Sequence, residues 1–501
     1  MAAHQQHAVL SCEAKMVAMM RQFPQSASVQ RWGACAMVRR VQRLPMARLT
    51  IVHNLGRAGA CVHNLGRAGA CEAIVAALLA HRLNVRVQEA ALAAAGTLVC
   101  GSRSNWLKLK AAGLCPLVVA AMRAHAAQSG VQQYAAGVIA EIAEATRSFD
   151  VATASRAAHS SEHAATKEAL MAAGVNTALV RALQTHCGSH KMVWRILYAL
   201  ISLTSAFTRR DALKFCSAGG ANTLVAVMNA HPFHGYVQQA AARVLIQLAG
   251  TGGTDAIANK FIAAGASAAV TAVFHNVPQF ASLDAVACLA RYDAAVQLAA
   301  AGAAEAVLAA VRTHTDDILF KVSLSTSELT SALYALSVLA GNETVCTRLR
   351  AAGACEAVAI VLRSIELPEI WPGPNARVHM YALSLVRSLA KNSMCSTGAP
   401  EGLARLAHAR ACEAVVTILR QLLQQPHGEE LLTHTIDQAI CAMETLSNDS
   451  GLAARLALAG AKSAVASAIA TYPANNYFQA ACKCLKYHLS STAASRSDRY
   501  Y

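Results

Sequence analysis

Apolar residues recur at helical spacing along most of the chain, and residues 342–392 show the pattern most clearly. Their order predicts a short helix over 343–352, which ends at Gly353, and a second helix over 355–365. A loop rich in proline and glycine follows, and a longer helix is predicted over 377–391. The apolar faces of the last two helices consist of Ala357, Val358, Val361 and Leu362, and of Ala382, Leu385, Val386 and Leu389. The segment predicts a unit of three helices.

The glycine between the first two helices recurs at a nearly constant interval. Gly69 and Gly113 are 44 residues apart, Gly174 and Gly219 are 45 apart, and Gly219 and Gly265 are 46 apart. A period of this size predicts stacked helical repeats, because one such unit cannot bury its apolar face alone. We therefore expect an all-α chain of about nine to ten three-helix repeats.

Three features of these units are shared with a known repeat family. Each unit has an (A/L)xxG phrase at the end of its first helix, an apolar second helix, and a third helix with a VQxxAxxxLxxLA-like pattern. The third-helix pattern begins at Val87-Gln88-Glu89-Ala90-Ala91 and again at Val237-Gln238-Gln239-Ala240-Ala241. On these features the chain resembles the armadillo-repeat family, an armadillo-like or HEAT-like α-solenoid, over nearly its whole length. The resemblance implies a right-handed α-solenoid whose third helices line a concave surface.

A duplicated phrase interrupts the pattern near the start of the chain. Residues 52–61 recur identically as residues 62–71. Ten residues make about 2.8 turns of α-helix, so a second copy cannot extend a helix in phase. We therefore expect segment 52–71 to form a loop beside the first repeats.

The remaining chain has three predicted parts. They are a degenerate basic repeat over 1–51, an array of armadillo-like repeats over 72–490, and a tail over 491–501. Three irregular stretches predict insertions, near 148–163, 366–376 and 396–402. Insertions in solenoids emerge as loops on one face and often contact partners.

Positive charge is concentrated at the start of the chain. The net charge is +16, and residues 1–71 hold nine Lys and Arg residues but one acid, Glu13. A basic end of this kind favours an acidic protein surface, RNA or anionic lipid as partner. The candidate partner-binding residues in this segment are Arg21, Arg31, Arg39, Arg40 and Arg43.

The composition of the same segment also suggests where in the cell the protein resides. An Arg-rich start with almost no acids matches the composition of a mitochondrial transit segment. However, the apolar spacing over 14–20 and 28–41 also fits the second and third helices of a first repeat. We expect this repeat to be retained and the protein to reside in mitochondria, with a cytoplasmic or ciliary location as the alternatives.

Aromatic residues of the third helices are the second set of candidates. The phrase Tyr-Ala-Leu occurs at Tyr198, Tyr334 and Tyr381, and Trp194 precedes the first of them. The importin-α relatives within the family carry a Trp here, with an Asn four residues on. Val338 and Leu385 stand where that Asn would be, which disfavours a nuclear-import receptor. The tyrosines are expected either to be half-buried packing residues or to form part of a partner groove.

Histidine and cysteine offer the remaining chemistry. Five histidines lie twelve residues after the glycine of their repeat: His81, His125, His186, His231 and His314. Neighbouring repeats are about 10 Å apart, too far to share a metal whose nitrogen ligands lie about 2.0–2.1 Å away. We expect these histidines to cap the end of the second helix. The 16 cysteines occur without a CxxC pair and are expected to be free thiols, so no metal site is predicted.

No pattern in the sequence supports an enzyme or a cofactor. The glycine-rich run 249–255 follows a helix and lacks the Lys-Ser/Thr of a phosphate-binding loop. The apolar stretches are broken by charge before about 18 residues, so no transmembrane segment is expected. We expect a non-catalytic scaffold that binds other proteins with acidic surfaces inside a large mitochondrial assembly. The alternatives are an RNA-contacting subunit of a ribonucleoprotein such as a mitochondrial ribosome, and a transient cytoplasmic or ciliary adaptor.

Overall fold

The computed structural model describes residues 13–42, 60–100, 102–148, 156–205, 207–251, 255–276, 280–316, 326–365, 376–391, 399–425, 430–472 and most of 479–489. The chain forms two compact units, Met1–Ala264 and Gly265–Tyr501. Every regular element in the described ranges is a helix, as the apolar spacing predicts.

The first unit is a succession of three-helix repeats. Its helices are α1 (13–22), α2 (Ala27–Gln42), α3 (60–67), α4 (Ala70–Ala80), α5 (Val85–Val99), α6 (Arg103–Ala111), α7 (Leu114–Ala124), α8 (Ser129–Ser148), α9 (Arg156–Ala172), α10 (Val175–Thr185), α11 (His190–Thr204), α12 (Arg209–Ser217), α13 (Gly220–Ala230), α14 (Gly235–Ala249) and α15 (Asp255–Ala263). The third helices α2, α5, α8, α11 and α14 pack on one another in that order. They form a continuous layer, which we call the first third-helix layer.

The second unit repeats the same arrangement. Its helices are α16 (Ala266–Asn276), α17 (Phe280–Leu289), a π-helical turn (Ala290–Ala294), α18 (Ala295–Ala300), α19 (Ala303–Asp316), α20 (Thr326–Leu339), α21 (Glu343–Ala351), α22 (Ala354–Ser364), α23 (Ala376–Lys391), α24 (Ala399–His408), α25 (Ala411–Leu422), α26 (Glu430–Ser447), α27 (Ser450–Leu458) and α28 (Ala461–Thr471). Its third helices α17, α20, α23 and α26 pack in sequence and form the second third-helix layer.

The turn between the first and second helices of a repeat explains the recurrent glycine. Eight glycines have φ between 81° and 90°: Gly69, Gly113, Gly174, Gly219, Gly265, Gly302, Gly353 and Gly460. This left-handed geometry crowds a Cβ against the following carbonyl, so glycine is favoured. The predicted helix end at Gly353 is therefore confirmed. In a later repeat the same place is taken by Arg410, whose φ is 60°.

The glutamine of the VQ phrase ties the third helix to the second. The side-chain nitrogen of Gln88 donates to the carbonyls of Leu78 and His81 at 2.9 and 3.0 Å. The last carbonyls of a helix have no partner within the helix, so these bonds cap the end of α4. The same pair of bonds, to carbonyls ten and seven residues earlier, is made by Gln30, Gln132 and Gln238.

The histidines lie where the spacing predicts, but their rings bind the preceding repeat. His81, His125, His186 and His231 each follow the last residue of a second helix. The ring Nε2 of His125 lies 2.8 Å from the carbonyl of Arg82, and His81, His186 and His231 contact Pro24, Ala126 and Cys187 in the same way. The histidines therefore cap their own second helices, as expected, through their backbone N–H groups, and their rings add a link to the preceding repeat. His314 lies in α19, and its side chain is outside the described residues.

Several predicted loops are in fact helical where the structure describes them. Residues 60–67 form α3, so the loop predicted over 52–71 is wrong for the second copy of the duplicated phrase. The copy serves as the first helix of a new repeat, because Gly69 supplies its left-handed turn. In the insertion near 148–163, α9 begins at Arg156. In the other two insertions α23 begins at Ala376 and α24 begins at Ala399, whereas residues 366–375 and 396–398 and the tail over 491–501 lie outside the described residues.

No single helix in the described part of the chain combines the length and apolarity needed to cross a bilayer, although two bent pairs of consecutive helices reach those limits together.

Candidate partner-binding site

The first third-helix layer exposes a stacked aromatic pair. Trp194 and Tyr198 are four residues apart on α11, so they lie one turn apart on the same face. Their ring centroids are 5.7 Å apart with an interplanar angle of 23°. The pair is 40% and 41% exposed, whereas Met192, Ile196 and Leu203, on the opposite face of the helix, are buried. The helical period thus directs the two rings away from the core.

Other side chains extend this exposed surface. Lys191 is exposed on the turn of α11 that precedes Trp194, and Arg195 is half-buried beside it. Tyr134, on the neighbouring helix α8, is 41% exposed. The surface around the pair therefore joins aromatic rings with positive charge.

The tyrosines of the second third-helix layer are placed differently. Tyr334 on α20 and Tyr381 on α23 are both half-buried, and their ring centroids are 4.8 Å apart. Burial raises the pKa of the Tyr381 hydroxyl, and the neighbouring Tyr334 adds to the shift. The rings join two consecutive third helices. Of the two roles expected for these tyrosines, this geometry matches packing, whereas Trp194 and Tyr198 match a partner surface.

A second candidate surface lies at the start of the first unit. A groove of about 620 Å³ runs beside α2 and the start of α5. Its lining residues are Met16, Ala27, Ser28, Arg31, Trp32, Cys35, Ala36, Arg39, Arg40, Asn84, Arg86 and Val87. We call it the arginine groove. It brings together three of the predicted arginines with Trp32 and Arg86, which the charge count alone does not single out.

The remaining predicted arginines do not line this groove. Arg21 lies in the last turn of α1, and its guanidinium donates to the carbonyl of Gly69 at 3.4 Å. Arg123 makes the equivalent contact to the carbonyl of Gly174 at 3.4 Å. Arg21 therefore belongs to a recurrent contact between repeats. Arg43 lies outside the described residues.

A buried carboxylate supports one side of the arginine groove. Glu13 is fully buried in α1, and the thiol of Cys61 on α3 lies 3.5 Å from its Oε1. The Nε of Arg40 lies 4.0 Å from the same oxygen. Burial raises the pKa of Glu13, and the Cys61 hydrogen bond and the Arg40 charge partly oppose that shift. Burial, with the carboxylate beside it, also raises the pKa of Cys61 to about 11.

The described residues contain no group of three or more His, Cys, Asp or Glu side chains that could hold a metal ion. Thirteen of the cysteines lie in this part of the chain, and all of them are free thiols.

Comparison with known proteins supports the fold. No family model matches the chain, and no curated protein matches it. The crystal structure of an engineered protein, a structural genomics target, matches with a TM-score of 0.70 and 17% identity over 95% of this chain and 98% of that chain. A structure from work on a phosphorylation switch that controls the interaction between cadherin and beta-catenin matches with a TM-score of 0.48 and 14% identity, over 91% of this chain and 99% of that one. The chain has the all-α solenoid fold of armadillo-type repeats.

Proposed function

We propose that the protein is a non-catalytic scaffold subunit that binds another protein through the exposed face of the first third-helix layer. The observation that carries the proposal is the stacked Trp194–Tyr198 pair, which is exposed on α11, the fourth of the five helices in that layer. The armadillo-type fold supports a role in protein–protein interaction.

The aromatic pair has the physical properties of a binding hot spot. A stacked Trp and Tyr offer a large apolar area with few rotatable bonds, so little conformational entropy is lost on binding. Each ring also keeps a polar group, which can pair at the edge of an interface. Trp, Tyr and Arg are the residues most enriched at energetically dominant positions, and Arg195 adjoins the pair.

The wider setting is part of the proposal. Armadillo-like repeats span nearly the whole chain, and a solenoid presents much surface per residue because each repeat packs only on its neighbours. This supports a fixed subunit of a larger assembly over a transient adaptor. A mitochondrial location, based on the acid-poor start, stays a prediction.

The test is affinity purification of the tagged protein from its native source, followed by light scattering on the eluted complex. We expect wild type to elute with stoichiometric partner chains. The variant Trp194→Ala/Tyr198→Ala should lose at least one of them, because removing a hot-spot aromatic weakens binding by about 2–4 kcal/mol.

The matched control removes two exposed apolar side chains elsewhere. Leu458 on α27 is 79% exposed and Val296 on α18 is 50% exposed, and both lie on first helices of the second unit. The variant Val296→Ala/Leu458→Ala should retain every partner. Equal recovery of all partners by both double variants would contradict the assignment of the binding face, and a free monomer from native cells would contradict the scaffold role.

A further inference from the structure

The loops that join the second and third helices form a continuous edge of the first unit. The ring of His125 contacts the carbonyl of Arg82 in the preceding loop. Three further ring contacts of this kind join His81 to Pro24, His186 to Ala126 and His231 to Cys187. The linked loops are 23–26, 81–84, 125–128, 186–189 and 231–234. We call this row of five loops the histidine edge.

Large apolar side chains project from the histidine edge. Leu83 and Phe233 both lie five residues before the capping glutamine of their repeat, and they are 86% and 75% exposed. Tyr236, in the first turn of α14, is 79% exposed. In the described part of the chain five large apolar side chains are more than 70% exposed, and three of them are these. Exposed apolar side chains that gather on one side of a protein mark an interaction surface.

The charge of the histidine edge is positive. None of its five loops contains Asp or Glu. The first turns of the third helices that follow these loops also lack acids, although acids are favoured at that place. Arg82 and Arg86 flank Leu83 in sequence, and both are exposed. Cations therefore accompany the apolar tip of the second repeat.

The apolar tip of the fifth repeat also has a cation near it. The rings of His190 and His234 stack, with centroids 4.3 Å apart, and this contact joins the start of α11 to the loop that carries Phe233. Lys191 follows His190 and is exposed. Both protruding tips thus combine an apolar side chain with positive charge.

A bilayer that contains anionic lipid offers the complementary properties. Its headgroups attract Lys and Arg, and its interfacial layer accepts apolar and aromatic side chains. Leu83 and Phe233 lie three repeats apart, about 30 Å at the usual helix-packing distance. Protruding tips at this separation favour a continuous surface over a pocket that encloses one side chain.

We propose that the histidine edge docks the protein on an anionic lipid surface. Leu83 and Phe233 insert between the lipid headgroups, and Tyr236 lies at the headgroup level. The two arginines beside Leu83 pair with lipid phosphates. The ring contacts between the loops hold the tips in place, so little conformational entropy is lost on docking. This surface is separate from the stacked aromatic pair on α11, so either proposal can fail alone.

The experiment measures co-sedimentation of the full-length protein with vesicles of phosphatidylcholine and phosphatidylserine. We expect binding that weakens as salt rises and that is about tenfold weaker with phosphatidylcholine alone. Leu83→Ser/Phe233→Ser should weaken binding to the mixed vesicles by about tenfold or more, because it removes the inserted apolar area. Arg82→Gln/Arg86→Gln should weaken it by about tenfold, because each Arg near an anionic surface adds to the attraction.

The matched controls remove the same chemistry from other places. Leu458→Ser removes a leucine that is 79% exposed on α27. Arg209→Gln/Arg210→Gln removes two exposed charges from α12. Both controls should bind the mixed vesicles as wild type does.

A second measurement separates insertion from misfolding. Phe233→Trp keeps an aromatic ring at the tip and should bind as wild type does. Brominated phosphatidylcholine in the mixed vesicles should quench the tryptophan fluorescence of this variant more strongly than that of Leu458→Trp. A misfolded chain would not show a difference that depends on the position of the added ring.

Several results would overturn the proposal. They are no binding of wild type to mixed vesicles, equal binding to phosphatidylcholine alone, and equal quenching of the two tryptophan variants. Binding that survives both edge variants but is lost in Arg31→Gln/Arg39→Gln would place the lipid at the arginine groove instead. A co-purifying protein that is lost in Leu83→Ser/Phe233→Ser, with no vesicle binding by wild type, would assign the histidine edge to a protein partner.

Discussion

The first repeat and the second share a phrase but use it differently. The phrase Cys-Glu-Ala begins at Cys12 and again at Cys71, and each second helix is capped by a glutamine, Gln30 or Gln88. The interval from cysteine to glutamine is 18 residues in the first case and 17 in the second. The glutamine caps fix the register of both helices, so the extra residue places Glu13 where the second repeat has Cys71.

The two residues at that position make the same kind of contact. Cys71 donates to the Asn105 carbonyl on the first helix of the next repeat, at 3.7 Å. Glu13 accepts from Cys61, again on the next repeat's first helix, at 3.5 Å. A one-residue offset has therefore exchanged a buried thiol for a buried carboxylate.

The third helix compensates for this exchange. Ten residues after the capping glutamine, the second repeat has the fully buried Leu98, and the first has Arg40. Arg40 supplies positive charge beside Glu13, whose Oε2 is buried without a hydrogen bond from any described residue. The first repeat therefore keeps the glutamine cap of the second but carries charge at two positions where the second repeat has a thiol and a leucine.

The substitution Cys71→Glu is expected to have the largest effect, and it tests the difference between the two repeats directly. It buries a carboxylate in a repeat whose facing position is Leu98, and Lys108, which lies near the thiol, already donates to the Gly66 carbonyl at 2.7 Å. We expect a loss of about 3 kcal/mol in the free energy of unfolding. Urea denaturation, monitored by circular dichroism, measures this loss of stability. Cys71→Glu/Leu98→Arg should recover part of the loss, and no recovery would argue against the role assigned to Arg40.

A smaller effect is expected from removal of the shared cap. Gln88→Ala and Gln30→Ala each leave two carbonyls at the end of a second helix without their side-chain donor. Each should lower the free energy of unfolding by about 1–2 kcal/mol. The same denaturation assay measures both losses. The control is Gln239→Ala in α14, which removes the half-buried glutamine next to a capping glutamine. Losses that differ widely between the two would show that the caps are not equivalent.

The variant Glu13→Gln tests the difference between the two repeats through the pH dependence of stability. Because burial raises the pKa of Glu13 in the folded state, the folded chain holds this proton more tightly than the unfolded chain. Stability is therefore lost as pH rises from the ordinary carboxyl value of 4.5 through the folded pKa. Near pH 4 the variant should have the same free energy of unfolding as wild type. At pH 7 its free energy of unfolding should be higher than that of wild type by about 1 kcal/mol. Thermal unfolding across this range tests it, with the exposed Glu72→Gln as control; a wild type more stable at pH 7 would contradict the account.

The smallest effect is expected at Trp32. Its ring is 53% exposed, so Trp32→Ala removes little buried area and should change the free energy of unfolding by less than about 1 kcal/mol. A large loss of stability in urea would instead make Trp32 a core residue of the first repeat.

Much of the fold could be read from local patterns. A glycine turn, an apolar period and a VQ phrase recur within each repeat, and each acts on residues close in sequence. The prediction failed at residues 60–67, because helical phase alone does not reveal that a copied phrase can start a repeat of its own. It also missed the partners of the histidines, since His125 binds a carbonyl 43 residues earlier.

The candidate site was predicted in part. Arg31, Arg39 and Arg40 were indicated by charge, but only the packing of α5 against α2 brings Arg86 beside them. The tyrosines were indicated by their phrase, and the fold separates the exposed Tyr198 from the half-buried Tyr334 and Tyr381. Exposure depends on neighbouring helices that lie some 45 residues away, which no local pattern records.

The sequence alone determined the helical class, the repeat length and the glycine turns, because hydrogen bonds within helices and backbone sterics act over a few residues. The tertiary structure decided that Glu13 is buried, that Arg21 joins two repeats and that the arginine groove exists. These features depend on which residues of successive repeats come into contact, and that register is set by the packing of whole helices.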